Sequence, residues 1–151
     1  MVKYHSGKFV PKHPEKYVGD VNAIVFRSGW ERKFFIWCDS NPRILHWNSE
    51  EAVIPYVSEI DNRVHKYYMD AVIEYELKDG SIERSLIEIK PFSQTQPPVK
   101  GKNMNTYLYA VEQYTKNISK WKYAQEYCNK NNMKFQIITE RELALQWMDK
   151  M

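Results

Sequence analysis

Three residues of this chain are of types that do chemistry together: Asp70, and the Glu88 and Lys90 of the triplet Glu88-Ile89-Lys90. Carboxylate oxygens are hard donors suited to Mg²⁺ or Mn²⁺, ions that keep several waters and take one or two carboxylates plus phosphate oxygens. An ion so held polarises a phosphoryl group and makes a nucleophile of water at neutral pH. A lysine ammonium beside it is a compact cation that can orient the water or offset charge developing in the transition state. Aspartate followed by Glu-x-Lys is thus apparatus for hydrolysing a phosphodiester, provided one fold brings the three side chains together. Taken alone the triplet is short and common, and a solvated strand end with a salt bridge satisfies it equally.

Positioning rests on the segment "HKYYMDAVIEYELKDGSIERSLIEIK", where two β-prone runs flank Lys78-Asp79-Gly80 as in a hairpin. A two-residue turn at Asp79-Gly80 sets Glu76 against Glu83 and Asp70 against Ile89. A three-residue loop, with Gly80 left-handed, pairs Leu77 with Ser81, Glu74 with Arg84, Val72 with Leu86 and Asp70 with Glu88. Opposite-charge and apolar cross-strand pairs each stabilise by roughly 0.2–1 kcal/mol, and like charges directly opposed destabilise. The three-residue loop is therefore expected, and it gathers Asp70, Glu88 and Lys90 on one face at the far end of the hairpin. Two carboxylates ~5 Å apart repel by about 3 kcal/mol at an effective dielectric of ~20. A proton or a cation between them is the physical remedy.

The other elements supply the frame. Residues 1–26 hold glycines, prolines and Lys3, Lys8, Lys12 and Lys16 without a clean period, which predicts a basic extended arm ending in a short strand at "VNAIVF". Ser28 stands three before Glu31, the spacing of a capping box. Trp30, Phe34, Trp37 and Cys38 follow at helical spacing until Asn41-Pro42. "EAVIPYV" is strand-like, with Pro55 indicating an edge. After Gly101 a long amphipathic helix is expected, its stripe carrying Tyr107, Val111, Tyr114, Ile118, Trp121 and Cys128. "MKFQIIT" predicts a short buried strand, and Thr139 with Glu142 a second capping box opening a final helix over "TERELALQWMDKM". This order predicts an α/β (α+β) fold, a mixed sheet with a β-hairpin flanked by helices, with residues 27–151 as its domain.

At 151 residues the chain can bury a core without staples. Cys38 and Cys128 have no metal-type spacing and are read as reduced, buried thiols, with a disulfide between them as the alternative. The sequon Asn117-Ile118-Ser119 is read as meaningless, since nothing resembles a signal peptide or a membrane span. His5, His13, His46 and His65 lack ligand spacing, and no nucleophile elbow, phosphate-binding loop or paired Cys-x-x-Cys occurs. The net charge of +3 is as compatible with a solvated surface as with a phosphate-binding face.

Taken together, "FRSGWERKFFIWCDSNPRILHWNSEEAVIPY", "HKYYMDAVIEY", "LIEIKP" and "NISKWKYAQEYCNKNNMKFQIITERELA" resemble the PD-(D/E)XK nuclease superfamily. The resemblance is to the branch holding transposon-type endonuclease subunits and head-completion nucleases of T-even-type tailed phages. It implies a restriction-endonuclease-like core and Mg²⁺- or Mn²⁺-dependent cleavage of double-stranded DNA, endo- or exonucleolytic. It also implies action with phage head and neck proteins in the host cytoplasm, and a possible place in the virion. Asp70 matches the strand aspartate, Glu88 and Lys90 the E-x-K, and Glu31 the upstream helical glutamate that completes the metal site, although Glu31 is equally explained as a capping residue. Met69 stands where the superfamily's name expects proline. Gln94 and Gln96 are candidate substrate contacts or a plain polar loop. Asn117, Lys120 and Trp121 match an N-x-x-K-W helix, with Trp121 in the core and Lys120 near the site or a phosphate. The alternative reading is a DNA-binding morphogenesis factor that keeps the fold and works by contact.

Overall fold

The computed structural model describes residues 6–144. Its arm begins with β1 (Gly7–Lys8), paired antiparallel with β2 (Val25–Phe26), and carries one-turn 3-10 segments at Pro14–Lys16 and Val21–Ala23. The expected strand over residues 21–26 is thus confined to its last two residues, because Asp20 caps a turn by accepting from the Asn22 N–H at 2.9 Å. Phe9, Tyr17 and Ile24 are buried in the main core. Lys16 is no phosphate contact. Its ammonium donates to the carbonyls of Cys38, Asp39 and Asn41 at 2.6, 3.0 and 2.8 Å, which satisfies the orphan C-terminal carbonyls of α1 (Gly29–Ser40).

Ser28 caps α1 as its spacing predicts, and the helix buries Phe34, Phe35, Cys38 and Asp39. Trp30, expected on the apolar stripe, is instead over one-third exposed. The chain then forms β3 (Ile44–Asn48), β4 (Val53–Val57), β5 (Val64–Tyr68), β6 (Ala71–Glu76) and β7 (Ile82–Ile89). β3 lies in "RILHWN", a stretch with no strong alternation, and was not expected as a strand. The segment read as one long hairpin arm is broken at Met69-Asp70. Upstream of the break, β5 leaves to pair with β4 in its own two-stranded sheet, with Pro55 exposed opposite Lys66.

The β6–β7 register is the three-residue one: Val72 faces Leu86 and Glu74 faces Arg84. The Leu77 N–H donates to the Ser81 carbonyl at 2.8 Å, and Gly80 sits at φ +86°, a conformation that favours glycine. β3 pairs antiparallel with β6, and β8 (Lys134–Ile138) pairs parallel with β7, so the four-stranded order is β3-β6-β7-β8. β8 is an edge strand only partly buried, not the buried strand its apolar composition suggests.

Between β7 and β8 runs α2 (Met104–Lys130), capped by Asn103. Its buried residues are Asn117, Ser119, Trp121, Ala124 and Cys128, while Ile118 faces solvent. The inward stripe is therefore one position away from the expected one over that turn. The short helix α3 (Glu140–Ala144) opens with the Thr139–Glu142 capping box, since the Glu142 carboxylate accepts from the Thr139 N–H at 2.8 Å. The rest of the expected final helix lies outside the described residues.

The sheet separates two cores. One face carries Ile44, Trp47, Ile73 and Ile87 against the arm, α1 and Leu143. The other carries Leu86 against Ile54, Tyr56, Tyr67 and Met69 and against Trp121, Ala124 and Cys128 of α2. Both cysteines are buried free thiols. Among the described residues, no helix is long and apolar enough to cross a membrane.

Candidate active site

Side chains alternate along β7, so Ile87 enters the first core while Leu86 and Glu88 face α2 and the β4–β5 hairpin. Glu88 is only 4% exposed. Tyr67, brought over by the departure of β5, donates its hydroxyl to Glu88 Oε2 at 2.6 Å. The other oxygen, Oε1, lies 3.6 Å from the Lys90 ammonium. Lys90 is held in line by its N–H, which donates to the Ile138 carbonyl at 3.0 Å and continues the β7–β8 ladder.

Asp70 occupies the bend that ends β5 and starts β6. Its Oδ2 accepts the N–H of Ile89, the middle residue of Glu-x-Lys, at 2.6 Å. Oδ1 has no hydrogen-bond partner among the described residues. Burial, then the nearby charges of Glu88 and Glu31, push the Asp70 carboxyl up to about 8, against the opposing pull of the Ile89 N–H and Lys90. A half-buried carboxylate this disfavoured as an anion, beside the buried Glu88, is a site short of positive charge.

Lys120 of α2 supplies part of it. Its ammonium lies 5.9 and 5.5 Å from the ring centres of Tyr56 and Tyr67, within cation–π range. Burial lowers its pKa first, and the neighbouring Lys90 lowers it further. Lys90, Gln94, Gln96 and Lys120 line one cavity of about 330 Å³. The loop bearing the glutamines is pinned: Phe92 donates its N–H to the Glu140 carboxylate at 3.0 and 3.1 Å, and the Arg141 guanidinium stacks 3.4 Å from the Phe92 ring centre.

Glu31 stands apart. Its N–H donates to Ser28 Oγ at 3.1 Å and its carboxylate reaches back to the Arg27 N–H at 3.3 Å, so its capping role is real. Burial raises its pKa, and Glu50 raises it further. Among the described residues no three His, Cys, Asp or Glu side chains cluster tightly enough to enclose an ion by themselves. Asp70 and Glu88 form the acidic pair, and Glu31 acts on it through its charge. Oxygen-only donors, with Asp70 Oδ1 receiving no hydrogen bond from the described residues, nevertheless fit a hard divalent cation that completes its shell with water and phosphate.

His13, His46 and His65 each sit beside a single carboxylate, of Glu15, Glu74 and Asp61 respectively, and His5 lies outside the described residues. Asn117 is buried inside α2, so its sequon is structurally closed to a glycan. Sequence reasoning missed Tyr67, because nothing local links it to Glu88 before the bend at Asp70 is known. It also missed the cavity residues Tyr109 and Gln113, which counting back from Cys128 by threes and fours brings close.

Residues 41–140 match the family of TnsA-like endonuclease N-terminal domains. This span includes Asp70, Glu88, Lys90 and Lys120 but not Glu31. The chain is also 43% identical over 141 residues to the head completion nuclease of Enterobacteria phage T4, covering 90% of this chain and 91% of that protein. No solved structure shows a significant match.

Proposed function

The chain belongs to the TnsA-like endonuclease family, and from that premise we propose that it is a divalent-metal-dependent deoxyribonuclease acting in phage head completion, as the name of its T4 relative indicates for that protein. The observation that carries this reading is the convergence of half-buried Asp70 and buried Glu88 on one end of the hairpin, with the Lys90 ammonium 3.6 Å from Glu88 Oε1. Asp70 and Glu88 would hold Mg²⁺ or Mn²⁺, with Glu31 adding negative charge from the start of α1. When bound, the ion supplies Lewis acidity at the phosphate.

The chain's own groups do the rest. Tyr67 fixes one Glu88 oxygen and the Ile89 N–H fixes one of Asp70, so neither acid has to be ordered when substrate arrives. The Lys90 ammonium, beside Glu88, orients the attacking water and offsets charge as the phosphorus–oxygen bond breaks. Lys120, with Gln94 and Gln96 across the same cavity, holds the backbone phosphate; such contacts position DNA and carry no base information.

The test is cleavage of duplex DNA by purified protein with Mg²⁺ or Mn²⁺, with EDTA and Asp70→Asn as controls. Cleavage is expected to require the metal and to fall by roughly a thousandfold in the variant, about 4 kcal/mol of barrier. Equal cleavage by both proteins would mean a contaminant and would end the assignment.

A further inference from the structure

α2 presents one face to two different surroundings. Counting back from Cys128, the positions Ala124, Trp121 and Asn117 recur every three or four residues, and all are buried. The next positions on that stripe are Tyr114 and Ala110, flanked by Gln113 and Tyr109. Here neither hydrophobic core covers the helix, and none of residues 104–116 is buried. The stripe instead forms a wall of the 330 Å³ cavity that contains Lys90 and Lys120. That volume lies in the range of about 300–1,000 Å³ typical of small-molecule sites.

The chemistry of this cavity is specific. Tyr109 and Tyr114 offer aromatic faces, and Gln113 and Asn117 offer amides that both donate and accept. Aromatic stacking together with hydrogen bonds to a base edge is how proteins take hold of an unstacked nucleobase. Phosphate alone would call for cations, and the cations here are confined to Lys90 and Lys120, the residues shared with the acidic pair. We propose that the cavity receives one unpaired nucleobase next to the scissile phosphate, so that the preferred substrate is DNA carrying an unpaired nucleotide at the cut, as at an overhang, a frayed end or a gap. A paired base is stacked in the duplex and enters such a site only after being flipped out, whereas an unpaired base enters directly. The inference rests on the nuclease reading of the acidic pair and extends it to the substrate.

Two measurements decide it. Initial cleavage rates with Mg²⁺ are compared on oligonucleotides of one sequence that are fully paired, mismatched at one position, or single-stranded at one end. The wild type is expected to cut at the unpaired position faster by roughly ten- to a hundredfold, the scale of one base stacked on an aromatic side chain. Tyr109→Ala and Gln113→Ala are expected to bring that ratio toward one. Independently, fluorescence anisotropy in EDTA follows a single-stranded oligonucleotide bound to Asp70→Asn protein, with and without the same two changes. Each change is expected to weaken single-strand binding by roughly tenfold while duplex binding shifts less. Equal rates on paired and unpaired DNA, or a ratio and affinity indifferent to Tyr109 and Gln113, would overturn the base site and leave the nuclease standing. If no substrate is cut at all, the nuclease reading fails, and the anisotropy arm still decides whether the cavity holds a base.

Discussion

The two faces of the four-stranded sheet are built from different materials. On the face under α1, Trp47 is packed by Tyr17, Phe35 and Phe9 with ring centres 4.8, 5.2 and 5.9 Å away, and Ile24, Phe34, Ile44, Ile73 and Ile87 fill out the larger apolar core. The face under α2 has the smaller core, which gives way at its rim to Tyr67, Glu88, Asp70 and Lys120. Apolar burial contributes roughly 1.5–3 kcal/mol per large side chain, whereas desolvated acids oppose folding. The division of labour follows: one face accumulates the stability that lets the other keep its charges out of water.

The largest expected effect probes the charged face. Desolvation and the neighbouring Glu88 raise the Asp70 carboxyl from its ordinary 3.8 toward about 8, so the acidic pair of the metal-free folded protein keeps a proton that the unfolded chain loses. The stability this proton contributes is fully present below about pH 4 and is lost as pH rises toward about 8, a decline of several kcal/mol at about 1.36 kcal/mol per unit. Denaturant unfolding of metal-free protein across this range should show the decline in the wild type and not in Asp70→Asn. Parallel profiles would mean that the acid is not confined as described. On the apolar face, Phe35→Ala should lower unfolding free energy by about 3–5 kcal/mol, while cleavage per folded molecule stays near wild type. If activity falls with stability, the two faces are not separable.

A smaller change isolates the cation. Lys90→Ala should slow cleavage by roughly a hundredfold, about 2.7 kcal/mol, with an unfolding midpoint within a few degrees of the wild type. Full activity would remove Lys90 from the chemistry, and infectious particles restored by an inactive variant would favour the contact role. The smallest effect concerns the start of α1. Ser28→Ala should cost about 1 kcal/mol of stability, whereas Glu31→Gln keeps the acceptor for the Arg27 N–H and should leave stability nearly unchanged. A drop in cleavage by Glu31→Gln alone would then report on its charge.

Much of this arrangement was legible in the chain because its signals are local. Ser28, Asn41-Pro42 and the Thr139–Glu142 pair mark helix ends through capping chemistry, and the charge pairing of Glu74 with Arg84 selects the hairpin register. What escaped depends on partners distant in sequence. β3 becomes a strand because β6 offers it an edge, and β5 leaves the hairpin because Asp70 bends the chain. Tyr67 reaches Glu88 only after that bend. On α2 the aliphatic Ile118 suggests an inward side chain, yet it is exposed and Asn117 is buried in its place. A buried asparagine is legible only once the cavity beside it is known.

The bond between Asp70 and the Ile89 N–H makes the loop at Lys78–Gly80 a ruler for a site at the other end of the hairpin. Both acids are in phase only because three residues, neither two nor four, join the strands. One residue more or fewer would move every β7 side chain to the opposite side, turning Glu88 toward the aromatic core and parting it from Asp70. The length of an exposed turn, far from any reacting atom, is thereby as much a determinant of assembly as the acids themselves.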